Sequence, residues 1–300
     1  MTLRFGLLGT GYWAAQTQGA ALAAHPEAEL VAVWGRDPAK ADDLAARLGA
    51  RSCRELDGLL ADVDAVAIAV PPDVQADLAV RAAAVGVHLL LDKPVAFGVT
   101  AADRVVAEVD RHQLASLVFF TSRYQPNITG FLRELAAAGP WDGARVTMFA
   151  SIFQPGNPYG QSPWRRERGG LWDIGPHALA MILPVLGPVD RVTATEGPHA
   201  TSHVTLAHRS GAVSTMALTL DAPAATTTTE FLFFGAPGRR PAPAGAGSAM
   251  DAFGVAISDL VRMVADGAST HPCDVRFGRE VVAVLAAAQA ASRQGCAVEP

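Results

Sequence analysis

The chain has 300 residues, with 29 acidic against 24 basic side chains and a formal net charge of -5. That charge denies it the broad cationic field that draws nucleic acid or an anionic membrane surface, so we expect small-molecule partners. Half of the residues are apolar but only 7% are aromatic, a balance that fits alanine-rich helices packed by small side chains and a length sufficient for two cores. Cys53, Cys273 and Cys296 show no metal-ligand or redox-pair spacing, which predicts a reducing, cytoplasmic compartment, and the histidines, including His203 and His208, have no metal spacing supported by carboxylates or cysteines, which predicts no metal. We expect neither an export signal nor a membrane span, because no apolar run of spanning length is free of charges and turn formers.

From Leu3 to Phe120, short β-like runs alternate with helical stretches, the pattern of a parallel sheet with crossover helices. Strands are predicted at Leu3 to Leu8, Glu29 to Trp34, Ala65 to Val70, Val87 to Leu91 and Ser116 to Phe120, with a weaker one at Ala50 to Cys53. Asp37 should cap the helix after the second strand, Pro38 take its first position and Gly49 stop it.

After Pro126 the rhythm changes. A helix to about Ala138, a strand from Arg145 to Phe153, a Pro/Gly-rich loop and another helix precede four closely spaced runs. These are Arg191 to Thr195, His203 to His208, Val213 to Leu220 and Glu230 to Phe234, which predict antiparallel pairing. Gly235 to Gly247 reads as a mobile loop before terminal helices near Ala249 to Ala265 and Gly278 to Arg293. The expected architecture is α/β: a doubly wound parallel Rossmann domain over residues 1–120, then an α+β domain with a largely antiparallel sheet over 121–300.

Gly9-Thr10-Gly11-Tyr12-Trp13-Ala14 follows the first strand and opens a helix predicted to run to Ala24. Such glycines permit a tight turn and a close approach of pyrophosphate to the helix N-terminus. At the end of the second strand, Gly35 stands where a ribose-binding carboxylate is expected, and Arg36 offers a planar cation for a 2′-phosphate. That favours NADP over NAD. Arg36 as a solvated loop residue, with Asp37 only a helix cap, is the competing reading.

Asp92-Lys93-Pro94 follows the strand Val87 to Leu91, at the carboxyl edge where open α/β sheets bind ligands. By itself Lys93 also reads as a surface lysine. In Gly169-Gly170-Leu171-Trp172-Asp173-Ile174-Gly175-Pro176-His177, the carboxylate and imidazole are four residues apart and share a face if one helix carries both. Taken separately, Asp173 reads equally as a helix-start residue and His177 as a structural histidine.

These three motifs, in this order, resemble the glucose-fructose oxidoreductase and inositol dehydrogenase family, Gfo/Idh/MocA, over nearly the whole chain. The resemblance implies a nicotinamide-dependent dehydrogenase or reductase of a sugar, cyclitol or related polyhydroxy compound, with Lys93, Asp173 and His177 at the reacting centre and His177 as acid/base. It also brings Val70, Pro71 and Pro72 to the cofactor, with Gln75 where a histidine is common. Asp92 replaces the usual glutamate, and Ala180 stands where an aspartate often follows the histidine. Alcohol oxidation requires loss of a hydride and of a hydroxyl proton, so a histidine base, a lysine donor to the oxygen and a carboxylate behind the histidine form a sufficient set. Arg123 and Tyr124, with Trp164 and Arg165 in the loop before Gly169, are further candidates for contacts to substrate or cofactor. The family further implies a homo-oligomer. Relatives that sense nucleotide without catalysis, or cleave glycosides with no net redox change, supply the alternative functions.

Overall fold

A computed structural model describes the whole chain, Met1–Pro300. Contacts divide it into two units: Met1–Gln125 with Gly247–Arg279, and Pro126–Ala246 with Glu280–Pro300. The first begins with β1 (Leu3–Leu8), a π-helical segment Ala14–Gly19, α1 (Ala20–Ala24), β2 (Ala28–Trp34), α2 (Pro38–Leu48), β3 (Arg51–Cys53), α3 (Leu56–Leu60) and β4 (Ala65–Ile68). There follow α4 (Pro72–Ala84), β5 (His88–Leu91), α5 (Val99–His112) and β6 (Ser116–Val118). The strands form one parallel sheet in the order β3-β2-β1-β4-β5-β6. Strand order reverses direction between β1 and β4, which is where such sheets open a ligand crevice. All four residues of β4 are buried, as a strand covered on both faces requires. The α2 signals act as predicted: the Asp37 side chain accepts from the N–H groups of Ala39 and Lys40, and Gly49 closes the helix at φ 69°.

The second unit contains α6 (Pro126–Ala138), β7 (Trp141–Phe149), α7 (Pro163–Asp173), α8 (Gly175–Leu186), β8 (Val189–Gly197), β9 (Thr201–His208), β10 (Val213–Thr219), β11 (Thr228–Gly235) and β12 (Gly238–Pro241). Its sheet order is β12-β11-β7-β10-β9-β8, parallel only between β7 and β10. Val204, Leu206, Met216 and Leu218 point to the buried side, where α7 and α8 pack. Thr193, Thr195, Thr205 and Thr215 alternate onto the exposed face.

Two expectations change here. Gly235 to Gly247 is not one loop, since β12 turns back along β11 as a hairpin. The segment after it is tied down by Asn127, whose amide donates to the Ala244 carbonyl at 2.7 Å. The strand expected to reach Phe153 ends at Phe149, and only an isolated bridge from Ser151 to Asp221 continues it. The helical run Pro163–Leu186 is long and apolar enough by composition to cross a membrane, with mean hydropathy 1.2, but 72% of that window is buried inside the fold, as in a core helix.

The chain then forms α9 (Ala249–Asp266) and α10 (Val275–Gln294). A Ser248/Asp251 capping box starts α9, and its buried face, including Phe253 and Leu260, packs on α1 and the π-helical segment. Phe253 meets Phe119 edge to face with centroids 4.9 Å apart. The Cys273 carbonyl accepts from the Val118 N–H at 2.8 Å, pinning the segment before α10 to β6. This return of α9 to the first unit replaces a single cut after residue 120 with a discontinuous division. Amphipathic periodicity reveals an apolar face but not which sheet receives it.

Candidate active site

Gly9 follows β1 at φ 130°, where a β-carbon would lie 2.3 Å from the Ala69 carbonyl oxygen. Only glycine lets the two strand ends approach so closely. A β-carbon on Gly11, by contrast, would meet no protein atom within 4 Å. Gly11 therefore leaves open space at the start of the helix, space that a side chain would fill. Helical structure does run to Ala24, but through π-helical Ala14–Gly19 rather than a uniform α-helix.

Gly9, Thr10, Gly11, Trp34, Gly35, Arg36, Asp37, Lys40, Ala69, Val70, Pro71 and Val74 line a cleft of about 260 Å³ at the carboxyl ends of β1, β2 and β4. A β-carbon on Gly35 would lie 2.6 Å from Thr10 Cγ2, so a larger residue here would require the Thr10 side chain to shift. Asp37 is occupied as a helix cap. Arg36 and Lys40 are the two cations on the wall, and Lys40 Nζ lies 3.8 Å from Asp37 Oδ2 in an exposed pair. Lys40 escaped the sequence reading, although its place one helical turn beyond the Asp37 cap was the available signal. Tyr12, 54% exposed, and half-buried Trp13 begin the helix without lining this cleft.

Several expected cofactor residues do other work. Pro72 is buried as the first residue of α4. Gln75 is fully buried: its amide nitrogen donates to the carbonyls of Asp92 and Pro94 at 2.8 and 2.9 Å, and its oxygen accepts from the Asp92 N–H at 3.0 Å. It holds the turn carrying Lys93 and has no surface to offer a ligand, which corrects its placement at the cofactor. Within the turn, Asp92 Oδ1 accepts from the Lys93 backbone N–H at 2.8 Å, a bond its short side chain allows.

In the second unit, Asp173 and His177 do not share one regular helix. Asp173 ends α7, Ile174 forms a cap at φ -105° and ψ -19°, and His177 lies in the first turn of α8, donating its backbone N–H to the Ile174 carbonyl at 3.1 Å. Pro176 lacks an N–H and cannot continue the earlier hydrogen-bond ladder. Ile174 remains in the right-handed region, so the backbone continues through about one turn from Asp173 to His177. Gly170 is needed for close approach, since a β-carbon there would lie 2.8 Å from the Thr219 backbone nitrogen.

Trp164 and Arg165 belong to the first turn of α7 rather than to a loop. Arg165 Nε donates to Asp173 Oδ2 at 3.0 Å, with side chains only 20% and 11% exposed. The Arg165 guanidinium also lies 4.5 Å from the Trp164 ring centroid and 5.0 Å from that of Tyr159.

Arg123 packs its guanidinium 5.6 Å from the Phe277 centroid. Tyr124 is a core residue and not a ligand contact: it is 2% exposed, donates to the Val118 carbonyl at 3.2 Å and stacks on His271. Burial pushes its hydroxyl well above the usual tyrosine range, with Cys273 adding to the effect. No group of three or more His, Cys, Asp or Glu side chains is arranged to hold a metal ion.

Residues 3–120 match the family model described as an oxidoreductase family with an NAD-binding Rossmann fold, and residues 133–240 match the GFO/IDH/MocA C-terminal domain. The chain is 31% identical over 193 residues, 62% of its length and 57% of the relative's, to dTDP-3,4-didehydro-2,6-dideoxy-alpha-D-glucose 3-reductase of Streptomyces antibioticus. It is 33% identical over 202 residues, 65% and 58% of the two lengths, to inositol 2-dehydrogenase of Rhizobium meliloti strain 1021. The matched region thus spans less than two thirds of these curated relatives. Among solved structures, GenD2 from gentamicin A biosynthesis, in complex with NAD, aligns with a TM-score of 0.87 and 22% identity over 100% of this chain and 96% of that one. At that identity the likeness establishes the fold.

Proposed function

Because the chain belongs to the GFO/IDH/MocA oxidoreductase family, whose two domain models match both its halves, we propose that it is a nicotinamide-dependent dehydrogenase or reductase of a sugar, cyclitol or related polyhydroxy compound. The observation that carries this reading is the glycine-lined cleft at the β1/β4 reversal, with space left open in front of Gly11. Gly9, Thr10, Gly11, Val70 and Pro71 would hold the dinucleotide. Arg36 and Lys40, with no acidic residue at Gly35, favour a 2′-phosphate and hence NADP.

When bound, the nicotinamide accepts or supplies the hydride. In the oxidative direction His177 would take the substrate hydroxyl proton on a ring nitrogen, and the role proposed for the Lys93 ammonium is to donate hydrogen bonds to substrate oxygen as negative charge develops. Asp173, one turn before His177, orients the imidazole and stabilises its protonated form. In the reductive direction His177 returns the proton. The free state of Cys53, Cys273 and Cys296 supports a reducing, cytoplasmic setting. We include in the proposal a homo-oligomer formed through the exposed, threonine-bearing sheet face, which mass in solution tests.

The test follows nicotinamide absorbance with a panel of polyols and sugars, NADP⁺ and NAD⁺ being offered separately. Reduction of NADP⁺ that disappears in His177→Ala, with a preference erased in the Arg36→Ala/Lys40→Ala double variant, is the expected result. Equal use of both cofactors by the parent chain overturns the NADP preference. Tight NADPH binding without turnover on any alcohol or carbonyl partner moves the function to nucleotide sensing, and glycoside cleavage without accumulated NADPH moves it to redox-neutral hydrolysis.

A further inference from the structure

Arg165 and Asp173 are eight residues apart in α7. In a straight helix that separation corresponds to about 12 Å of rise, too far for direct contact at the observed orientation. The helix is not straight. Gly169 has φ 64° and ψ -162°, a conformation essentially reserved for glycine, and the backbone kinks there. A β-carbon on Gly169 would touch nothing within 4 Å, so this glycine is required by its backbone angles and not by crowding. The kink brings the first turn of α7 back to its end, where Arg165 Nε meets Asp173 Oδ2 at 3.0 Å.

Asp173 is only 7% exposed, and a buried carboxylate left without a partner carries a large desolvation cost. Arg165 supplies a charge-assisted bond from a guanidinium whose mobility is limited by the Trp164 and Tyr159 rings. Its planar group presents an Nε–H to one oxygen of the carboxylate that lies four residues before His177. Resting on the assignment of Asp173 and His177 above, we infer that Arg165 is a positioning residue: the Gly169 kink and the Arg165–Asp173 pair together orient the carboxylate that supports the acid/base histidine. Arg165 acts through Asp173, without itself touching the reacting atoms.

Steady-state kinetics with NADP⁺ and myo-inositol, or the polyol giving the highest rate in the panel above, test this in a double-variant cycle of Arg165→Met and Asp173→Asn. Arg165→Met should lower kcat at least about tenfold, while KM and NADPH affinity change less than about twofold. In the Asp173→Asn background the same change should cost less than about twofold. Arg165→Lys, which retains the cation, should recover part of kcat, and Gly169→Ala should reproduce the Arg165→Met defect in a chain that still unfolds cooperatively. The cycle read in urea midpoints, which needs no substrate, should also be non-additive. Additive losses in an impaired Asp173→Asn background, or a loss confined to KM, overturn the positioning role. Unaltered turnover of Asp173→Asn instead overturns the underlying assignment of Asp173.

Discussion

Gln75 and Asp92 are joined through both ends of one side-chain amide, which donates to the Asp92 carbonyl at 2.8 Å and accepts from the Asp92 N–H at 3.0 Å. With the bond to the Pro94 carbonyl at 2.9 Å, a single buried side chain sets the turn that presents Lys93. Gln75→Leu leaves these backbone groups without their partner. It should destabilise the first unit by about 1–3 kcal/mol and lower turnover through Lys93. Urea midpoints and kcat check both effects, and an unchanged midpoint removes Gln75 from this role.

Gly9 and Gly11 should respond oppositely to substitution. Gly9→Ala places a β-carbon against the Ala69 carbonyl at a positive φ, so about 1–3 kcal/mol of stability should be lost. Gly11→Val enters open space, so thermal stability should hold while dinucleotide binding collapses. Calorimetric titration with NADPH against the melting curve separates the two. Intact binding by Gly11→Val contradicts the placement of the dinucleotide at Gly11.

His208 makes the second unit sensitive to acid. It is 4% exposed, its Nδ1 donates to the Gly187 carbonyl at 2.8 Å, and its Nε2 accepts from the Ser214 hydroxyl at 2.8 Å. Burial pushes its pKa below 6.5, against the raising effect of the Gly187 bond. The unfolded chain therefore binds a proton that the folded chain resists, and stability contributed by neutral His208 is lost as pH falls below about 6.5. His88 and His271 are shifted downward, also chiefly by burial. Urea midpoints should fall from about pH 7 to about pH 5, with a shallower fall in His208→Gln. An identical slope in that variant rules out a contribution from His208.

The cysteines should differ in reactivity. Burial pushes the Cys273 thiol up to about 11, and Cys53 is also buried, whereas Cys296 is exposed. Iodoacetamide at neutral pH should therefore modify Cys296 alone in the folded protein and all three after unfolding, as read by peptide mass. Rapid native labelling of Cys273 would contradict its packing beside Tyr124.

Local signals in the sequence determined a great deal here. Alternation of apolar strands with helices predicted the parallel sheet, and Asp37, Pro38 and Gly49 marked α2 because caps depend on residues adjacent in the chain. Gly9-Thr10-Gly11 pointed to the cleft for the same reason. Other relations depended on tertiary structure. The apolar face of α9 was legible, but its return to the first unit was a choice among competing surfaces. Gln75 showed nothing in sequence of the turn it holds seventeen residues away. The spacing of Asp173 and His177 put them on one face only if one helix carried both, whereas α7 ends at Asp173 and α8 begins at Gly175. The pairing of Arg165 with Asp173 required the Gly169 kink, because a hydrogen bond depends on distance and direction in space, and sequence separation specifies neither once the backbone departs from a regular period.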